Sequence, residues 1–258
     1  MPDSFENANL TTTSPWDIVR CVGLEKKKFE HRSLEEQPAY SIAEASRYLS
    51  IPAATLRSWV AGRKYPTGGG PRFFRPIIEL PEGARAGLSF VNLVEAHVLD
   101  AIRRHHQVPL NKIRDGIAYL RRHFSSKHPL AEQRFQTDGI DLFIEKFGRL
   151  INVTQSGQIA LRELLQAHLH RVEHDHSGAA VRLYPFTRKR DLLEPKVVVI
   201  DPRISYGRPV LVGTGIPTAV IAERYKAGES IDELAEDYGR ARKEIEEAIR
   251  CELWLEAA

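Results

Sequence analysis

Six cationic side chains, Arg47, Arg57, Arg63, Lys64, Arg72 and Arg75, fall between Glu44 and Glu79 with no acidic residue among them. A one-signed cluster of this kind suits a polyanion. Each cation set beside a phosphate releases a condensed counterion, and arginine adds paired hydrogen bonds to phosphate or to a guanine edge. Tyr65 stands next to Lys64 and joins the set. Other chemistries find less support. There are no paired carboxylates and no nucleophile–base set at a spacing that would do acid–base or covalent work. The glycines of 207–215 are not followed by the Lys-Ser/Thr of a phosphate loop. Cys21 and Cys251 are the two cysteines, far apart, so neither a disulfide framework nor a cysteine metal cluster is implied. His170 and His174 would share a helix face four residues apart and could grip a metal, but no third ligand accompanies them, and a solvated helix end is the simpler reading. The expectation is a protein without catalytic residues, cofactor or metal, and not an enzyme.

The cations need elements to position them. Tyr40 onward predicts a short amphipathic helix with Ile42, Ala45 and Leu49 on one face, a break at Ser50-Ile51-Pro52, and a second helix with Leu56, Trp59 and Val60 facing inward. Pro52 suits a helix start because its missing N–H would have no partner there anyway. Ala53, Ala54, Arg57, Ser58 and Ala61 then face outward, small residues around one arginine, with Arg57 and Ser58 as the groove contacts. Arg63, Lys64, Arg72 and Arg75 are the expected phosphate contacts. Gly68-Gly69-Gly70 reads as a hinge, Arg72 to Ile78 as a strand, Pro81-Glu82-Gly83 as a turn, and Gly87 to Phe90 as the returning strand of a wing. The segments Thr55-Leu56-Arg57-Ser58-Trp59, Gly62-Arg63-Lys64-Tyr65 and Leu88-Ser89-Phe90 resemble the MerR-like winged helix. Pro52 departs from that family, which usually has a Ser or Thr cap there.

Charge divides the chain. Asp100 to His128 holds seven Lys/Arg against two Asp, whereas Glu223 to the end holds six Lys/Arg against eleven Asp/Glu, a net of −5. A basic front and an acidic back point to two different partners. The chain reads as an arm and linker over 1–39, a winged helix-turn-helix over 40–135, a connecting region over 136–184, and a C-terminal domain over 185–258. In the arm, Ser14 to Val19 reads as a capped helical turn, with Ser14 as the cap and Asp17 three residues on. Trp16 there either docks on its own domain, which is favoured, or grips a partner. Val94, Val98, Ala101 and Ile102 mark one helix, capped by Asn92 with Glu95; Leu110, Ile113, Ile117 and Leu120 mark the next. Arg103, Arg104, Arg121 and Arg122 either extend the DNA-facing surface or line a solvated face. Residues 141–153 read as a hairpin about Phe147-Gly148, and a helix follows from about Ile159 to Glu173. Strands over Val181–Tyr184 and Lys196–Ile200 precede three short helices, the middle one opened by Ser230 with Glu233. The fold class is mainly α with small β elements. No apolar run spans a membrane and no signal-peptide core begins the chain, so a cytoplasmic protein is expected.

Asp201-Pro202-Arg203, Gly207-Arg208-Pro209-Val210, Gly213-Thr214, Ile216-Pro217 and Ala227-Gly228-Glu229-Ser230 resemble the domain-of-unknown-function family 433. Gly215 stands where that family usually has arginine. With a MerR-like domain ahead of it, the whole is similar to antitoxins of the VapB type. The resemblance implies an antitoxin that binds a PIN-like ribonuclease toxin and represses its own operon, acting as a homodimer on operator DNA. PIN-like active sites are acidic and metal-binding, so the implied toxin-binding residues are cations outside the winged helix: Arg188, Arg190, Arg203 and Arg208. The alternative is a free-standing regulator whose C-terminal domain senses a ligand.

Overall fold

The computed structural model describes residues 33–253 except 67, 69, 71, 83–86, 107–109, 152–154 and 189–193. Ser14 to Val19, Trp16 and Arg190 lie outside the described residues.

Helix α1, Ile42–Leu49, opens on a reciprocal cap. The Glu44 amide donates to Ser41 Oγ at 3.2 Å, and the Ser41 amide donates to Glu44 Oε2 at 2.8 Å. Two orphan donors are thereby satisfied. Partial burial pushes the Glu44 carboxyl up, but the Ser41 amide and hydroxyl hold it below its ordinary value. The chain leaves α1 through Ser50 in the left-handed region at φ 51, and Ser46 Oγ donates to the Ile51 carbonyl at 2.6 Å. Pro52 then caps helix α2, Ala53–Ala61, without a side-chain bond. Leu56 and Trp59 are fully buried, as their spacing predicts.

Strand β1, Arg63–Tyr65, pairs antiparallel with β2, Arg72–Phe74. The wing is therefore the hairpin over 63–74, with Gly68 and Gly70 between its strands, and not the expected pairing of residues 72–78 with 87–90. Leu88 instead bridges Tyr40, and Ile77 and Ile78 give their amides to the Trp59 carbonyl at 2.8 and 3.1 Å. Those two bonds satisfy an acceptor at the end of α2, which a second wing strand would have left open.

Helix α3, Phe90–His106, is capped by Ser89, not Asn92: Ser89 and Asn92 exchange amide-to-side-chain bonds, both at 3.2 Å. Glu95 does not reach back to the helix start; its Oε2 accepts from Asn92 Nδ2 at 3.4 Å and pairs with His128 at 2.9 Å. Helix α4 covers Leu110–Phe124. A π turn at Phe135–Gly139 runs into α5, Ile140–Ile151, which replaces the expected hairpin. Ile140, Phe143 and Ile144 are buried at i, i+3 and i+4, a helical stripe. Gly148 weakens that helix by only about 1 kcal/mol, less than the burial of one such side chain returns.

Helix α6, Gln155–Leu169, ends short of the expected Glu173. The chain turns there into β3, Val172–His174, paired with β4, Ala180–Leu183. His170 thus lies in the turn just after α6 and His174 at the end of β3, and they share no helix face. Strand β5, Val198–Val199, pairs with β6, Val210–Leu211, and Ile200 exchanges bonds with Leu183 at 3.0 and 2.8 Å. Helices α7, Thr218–Lys226, α8, Ile231–Tyr238, and α9, Arg242–Leu253, complete the described chain.

One apolar core runs without interruption from Tyr40 to Ile200, with α6 packed on α3 and α5 on α4. A smaller core joins Leu211, Ile221, Leu234, Ile245, Ala248 and Ile249. Arg171, 3% exposed, fastens the approach to β5 by donating to the carbonyls of Tyr184, Glu194 and Pro185 at 2.6, 2.8 and 3.1 Å.

Candidate nucleic-acid interface

Ala54, Arg57 and Ala61 form an exposed stripe along α2, spaced three and four residues apart. Ser58 does not belong to it. Its side chain is buried and its hydroxyl donates to the Thr55 carbonyl at 2.7 Å, one turn back. The expectation of Ser58 as a groove contact is corrected on that ground: position 58 falls on the inward side beside Trp59, and its polar atom is already satisfied locally.

The wing carries the other cations. Arg63, Lys64, Arg72 and Arg75 are all exposed. The register sets Arg63 opposite Phe74, Lys64 opposite Phe73, and Tyr65 opposite Arg72. Lys64 and Phe73 therefore share one face, since cross-strand partners point the same way. Phe73 is 55% exposed, an aromatic beside a cation that the sequence reading did not single out. Its signal lay in the alternation of Phe73 and Phe74, one out and one in, which needs the strand pairing to be read. Gly62 admits the chain from α2 into the wing at φ +73, where a Cβ would stand 2.2 Å from the Phe74 carbonyl oxygen.

The base of the wing is fastened. The Arg114 guanidinium lies 4.1 Å from the Phe74 ring centre and donates to the Arg75 carbonyl at 2.6 Å. Arg121 pairs with Glu79 at 2.7 Å and donates to the Ile77 carbonyl at 2.9 Å. Arg103 lies 6.0 Å over the Trp59 ring. Arg103 and Arg121 thus support the interface from behind, while Arg122 stays exposed. The side chain of Arg104 lies outside the described residues.

Arg47 faces the other way. Its Nε stands 3.1 Å from Glu252 Oε2 on α9, and the Glu252 side chain is only 6% exposed. A nearly buried carboxylate holds this cation, so Arg47 ties α1 to the C-terminal helices and is corrected from a phosphate contact to an internal partner. Tyr40 makes a second tie, its phenol donating to the Gly207 carbonyl at 3.0 Å; burial pushes that phenol up, which keeps it a donor.

The four expected toxin contacts separate in the same way. Arg188 is bound to Glu247, itself 1% exposed, which also accepts from Thr187 and from Arg250 at 2.6 Å. Arg188 is therefore first a structural clamp. Arg203 is 61% exposed and reaches Glu35 at 3.0 Å. Arg208 is exposed. Arg190 lies outside the described residues. The strand edges near Val197 and Val210 are occupied: the Val212 amide donates to the Val197 carbonyl at 2.8 Å, and Val210 bridges Pro217. Among the described residues no group of three or more His, Cys, Asp or Glu could hold a metal, and no helix is long and apolar enough to cross a membrane.

Residues 38–117 match the family described as "Putative DNA-binding HTH domain", and residues 198–250 match "Protein of unknown function (DUF433)". Fold and site thus define a helix-turn-helix protein with a C-terminal DUF433 domain. Over 230 residues the chain is 33% identical to "Putative antitoxin VapB45" of Mycobacterium tuberculosis, covering 82% of this chain and 92% of that protein. This chain belongs to the family of that protein. It is also 30% identical over 224 residues to "Uncharacterized protein Rv2308" of the same organism, covering 84% of this chain and 91% of the relative. The crystal structure of Rv2018 from Mycobacterium tuberculosis superposes with a TM-score of 0.62 at 29% identity, covering 83% of this chain and 98% of that one.

Proposed function

We propose that this protein is the antitoxin of a type II toxin–antitoxin pair. It binds its operator as a homodimer through α2 and the wing, and it neutralises a PIN-like ribonuclease through its C-terminal part. Arg57 reads a base edge from α2, and Arg63, Lys64, Arg72 and Arg75 bind phosphates beside it. A two-fold protein on a near-symmetric site explains how so short a recognition helix acquires specificity.

The observation that carries this reading is the division of charge across one connected structure. The front presents exposed cations with no carboxylate in the same stretch of chain. At the back, cations and carboxylates are largely paired with each other. Non-specific nucleic-acid affinity comes from phosphate neutralisation, so the back needs another kind of partner. The likeness to VapB45 over nearly its whole length supports a toxin as that partner.

Co-expression tests the reading. A ribonuclease-like reading frame adjoining this gene should arrest growth when induced alone, and co-expression of the full chain should restore growth. Arrest that persists despite soluble full-length chain would refute the antitoxin assignment.

A further inference from the structure

Tyr206 is 96% exposed at the tip of a turn in which Ser205, Tyr206 and Gly207 all have positive φ, at 47, 57 and 75. Non-glycine residues avoid this region because Cβ crowds the following carbonyl, and an aromatic residue gains nothing there locally. Such strain persists only where the surroundings over-determine it.

Here they do. The Tyr40 phenol donates to the Gly207 carbonyl at 3.0 Å, and a Cβ on Gly207 would stand 2.3 Å from that phenol oxygen. The Gly207 amide donates to Ile204 at 2.9 Å, and the Arg208 amide to Ser205 at 3.1 Å. Ser205 Oγ donates to the Gly215 carbonyl at 3.2 Å. Beneath the turn, Asp201 accepts from the Arg203 amide at 2.9 Å and from the Arg182 guanidinium at 2.9 Å. A rigid plinth thus holds a large apolar ring in water, flanked by the exposed Arg203 and Arg208. Glu35 pairs with Arg203, and Arg208 acts on the Glu44 carboxyl, so both cations are partly offset and the ring is the dominant feature.

We propose that the 203–208 turn is the anchor by which this protein docks its toxin: Tyr206 fills a pocket on the partner, and Arg203 and Arg208 meet an acidic rim around it. This rests on the antitoxin reading above. Tyrosine and arginine are the residues that most often carry binding energy at protein interfaces, and a pre-ordered turn loses little entropy on docking. Nucleic acid is the poorer occupant, because the turn belongs to the part of the chain whose last stretch, from Glu223, carries a net of −5. A second copy is poorer too. A two-fold axis passing through this turn would bring the like-charged Arg203 and Arg208 of the two copies together, and a one-way contact would not close.

The experiment titrates the purified ribonuclease of the adjoining reading frame onto full-length wild-type chain and onto Tyr206→Ala and Tyr206→Gly variants. Operator binding serves as the check of folding. Both variants are expected to bind the ribonuclease about 30-fold more weakly with operator affinity unchanged. Tyr206→Gly should also raise Tm, because it relieves the positive φ. Wild-type affinity in Tyr206→Ala, or a fall in Tm for Tyr206→Gly, would overturn the turn as anchor and leave the antitoxin reading standing. So would a loss confined to binding of a single-stranded RNA oligonucleotide or to self-association. No binding by the wild-type chain would overturn the antitoxin reading and this inference together.

Discussion

Helices α1 and α2 turn their corner in the same way as helices α8 and α9. Each pair opens on a reciprocal Ser–Glu cap, Ser41 with Glu44 and Ser230 with Glu233. The first helix of each pair is eight residues long and ends on a left-handed residue, Ser50 at φ 51 and Gly239 at φ 59. In each the next amide reaches back to the first helix, Ile51 to Ser46 and Arg240 to Ala235. The second helix follows after three residues. The difference lies in the cations. In the back pair Arg242 is held by Asp232 and Glu246, Arg240 by Glu244, and Arg250 by Glu246 and Glu247. In the front pair no acid follows Glu44, and Arg57 is exposed on α2. One backbone solution therefore serves two surfaces, and side-chain charge rather than helix geometry separates the surface with free cations from the one whose cations are paired internally.

The largest effect that would sharpen this contrast is on DNA affinity. Binding of the full chain to its own promoter should fall steeply with salt. Replacing Arg63, Lys64, Arg72 and Arg75 together by Gln should flatten the log–log slope by about 0.9 per cation. Arg57→Ala should cost about 1–3 kcal/mol and relax sequence preference, with the slope little changed. The matched change in the back pair, Arg242→Gln with Arg250→Gln, should leave DNA affinity alone. Equal loss from both sets would break the comparison.

Next in size is the buried carboxylate of the back unit. Burial alone would push Glu247 up, but Arg188, Thr187 and Arg250 hold it below its ordinary value. A depressed carboxylate contributes stability above its unfolded pKa, and that stability is lost as pH falls through the folded value. Glu247→Gln should cost about 2 kcal/mol at neutral pH, less than a fully buried pair because Arg188 and Arg250 remain half in water. In denaturant titrations the variant should also lose the wild type's steepening below about pH 4.

The front unit should answer pH with the opposite sign. Burial lowers the His128 ring, but Glu95, 2.9 Å away, raises it above its ordinary value. This contribution is complete below the unfolded pKa of about 6.5 and is lost as pH rises through the higher folded value. His128→Asn should therefore cost about 1 kcal/mol at pH 5.5 and little at pH 9. A loss that does not shrink with rising pH would show that packing, not charge, holds the pair.

The smallest effect is at the two corners themselves. Ser50→Gly should stabilise by about 0.5 kcal/mol, and Gly239→Ala should destabilise by about 1 kcal/mol, since only glycine takes a left-handed backbone without a Cβ penalty. Nothing lies within 4 Å of a Cβ at Gly239, so the cost there is conformational alone. Thermal melts would check both.

Much was legible in the chain itself. Ile42, Ala45 and Leu49 with Leu56, Trp59 and Val60 specified two short helices and their inward faces, because helical periodicity and a proline-marked break are local properties. The absence of acids between Glu44 and Glu79 marked the candidate interface, because net charge along a short stretch survives any packing. Ser230 with Glu233 declared a cap for the same reason. What local pattern could not decide was pairing. β1 and β2 close on each other across the glycines because Trp59 already claims the amides of Ile77 and Ile78. Residues 140–151 are helical because Phe143 and Ile144 find a buried face against the helices around them. Side-chain destination was equally hidden. Arg47, Arg57 and Arg188 look alike in sequence, yet Glu252 holds the first, water surrounds the second and Glu247 holds the third. A long cation goes to whichever carboxylate lies within reach, and only the tertiary structure fixes which carboxylates those are.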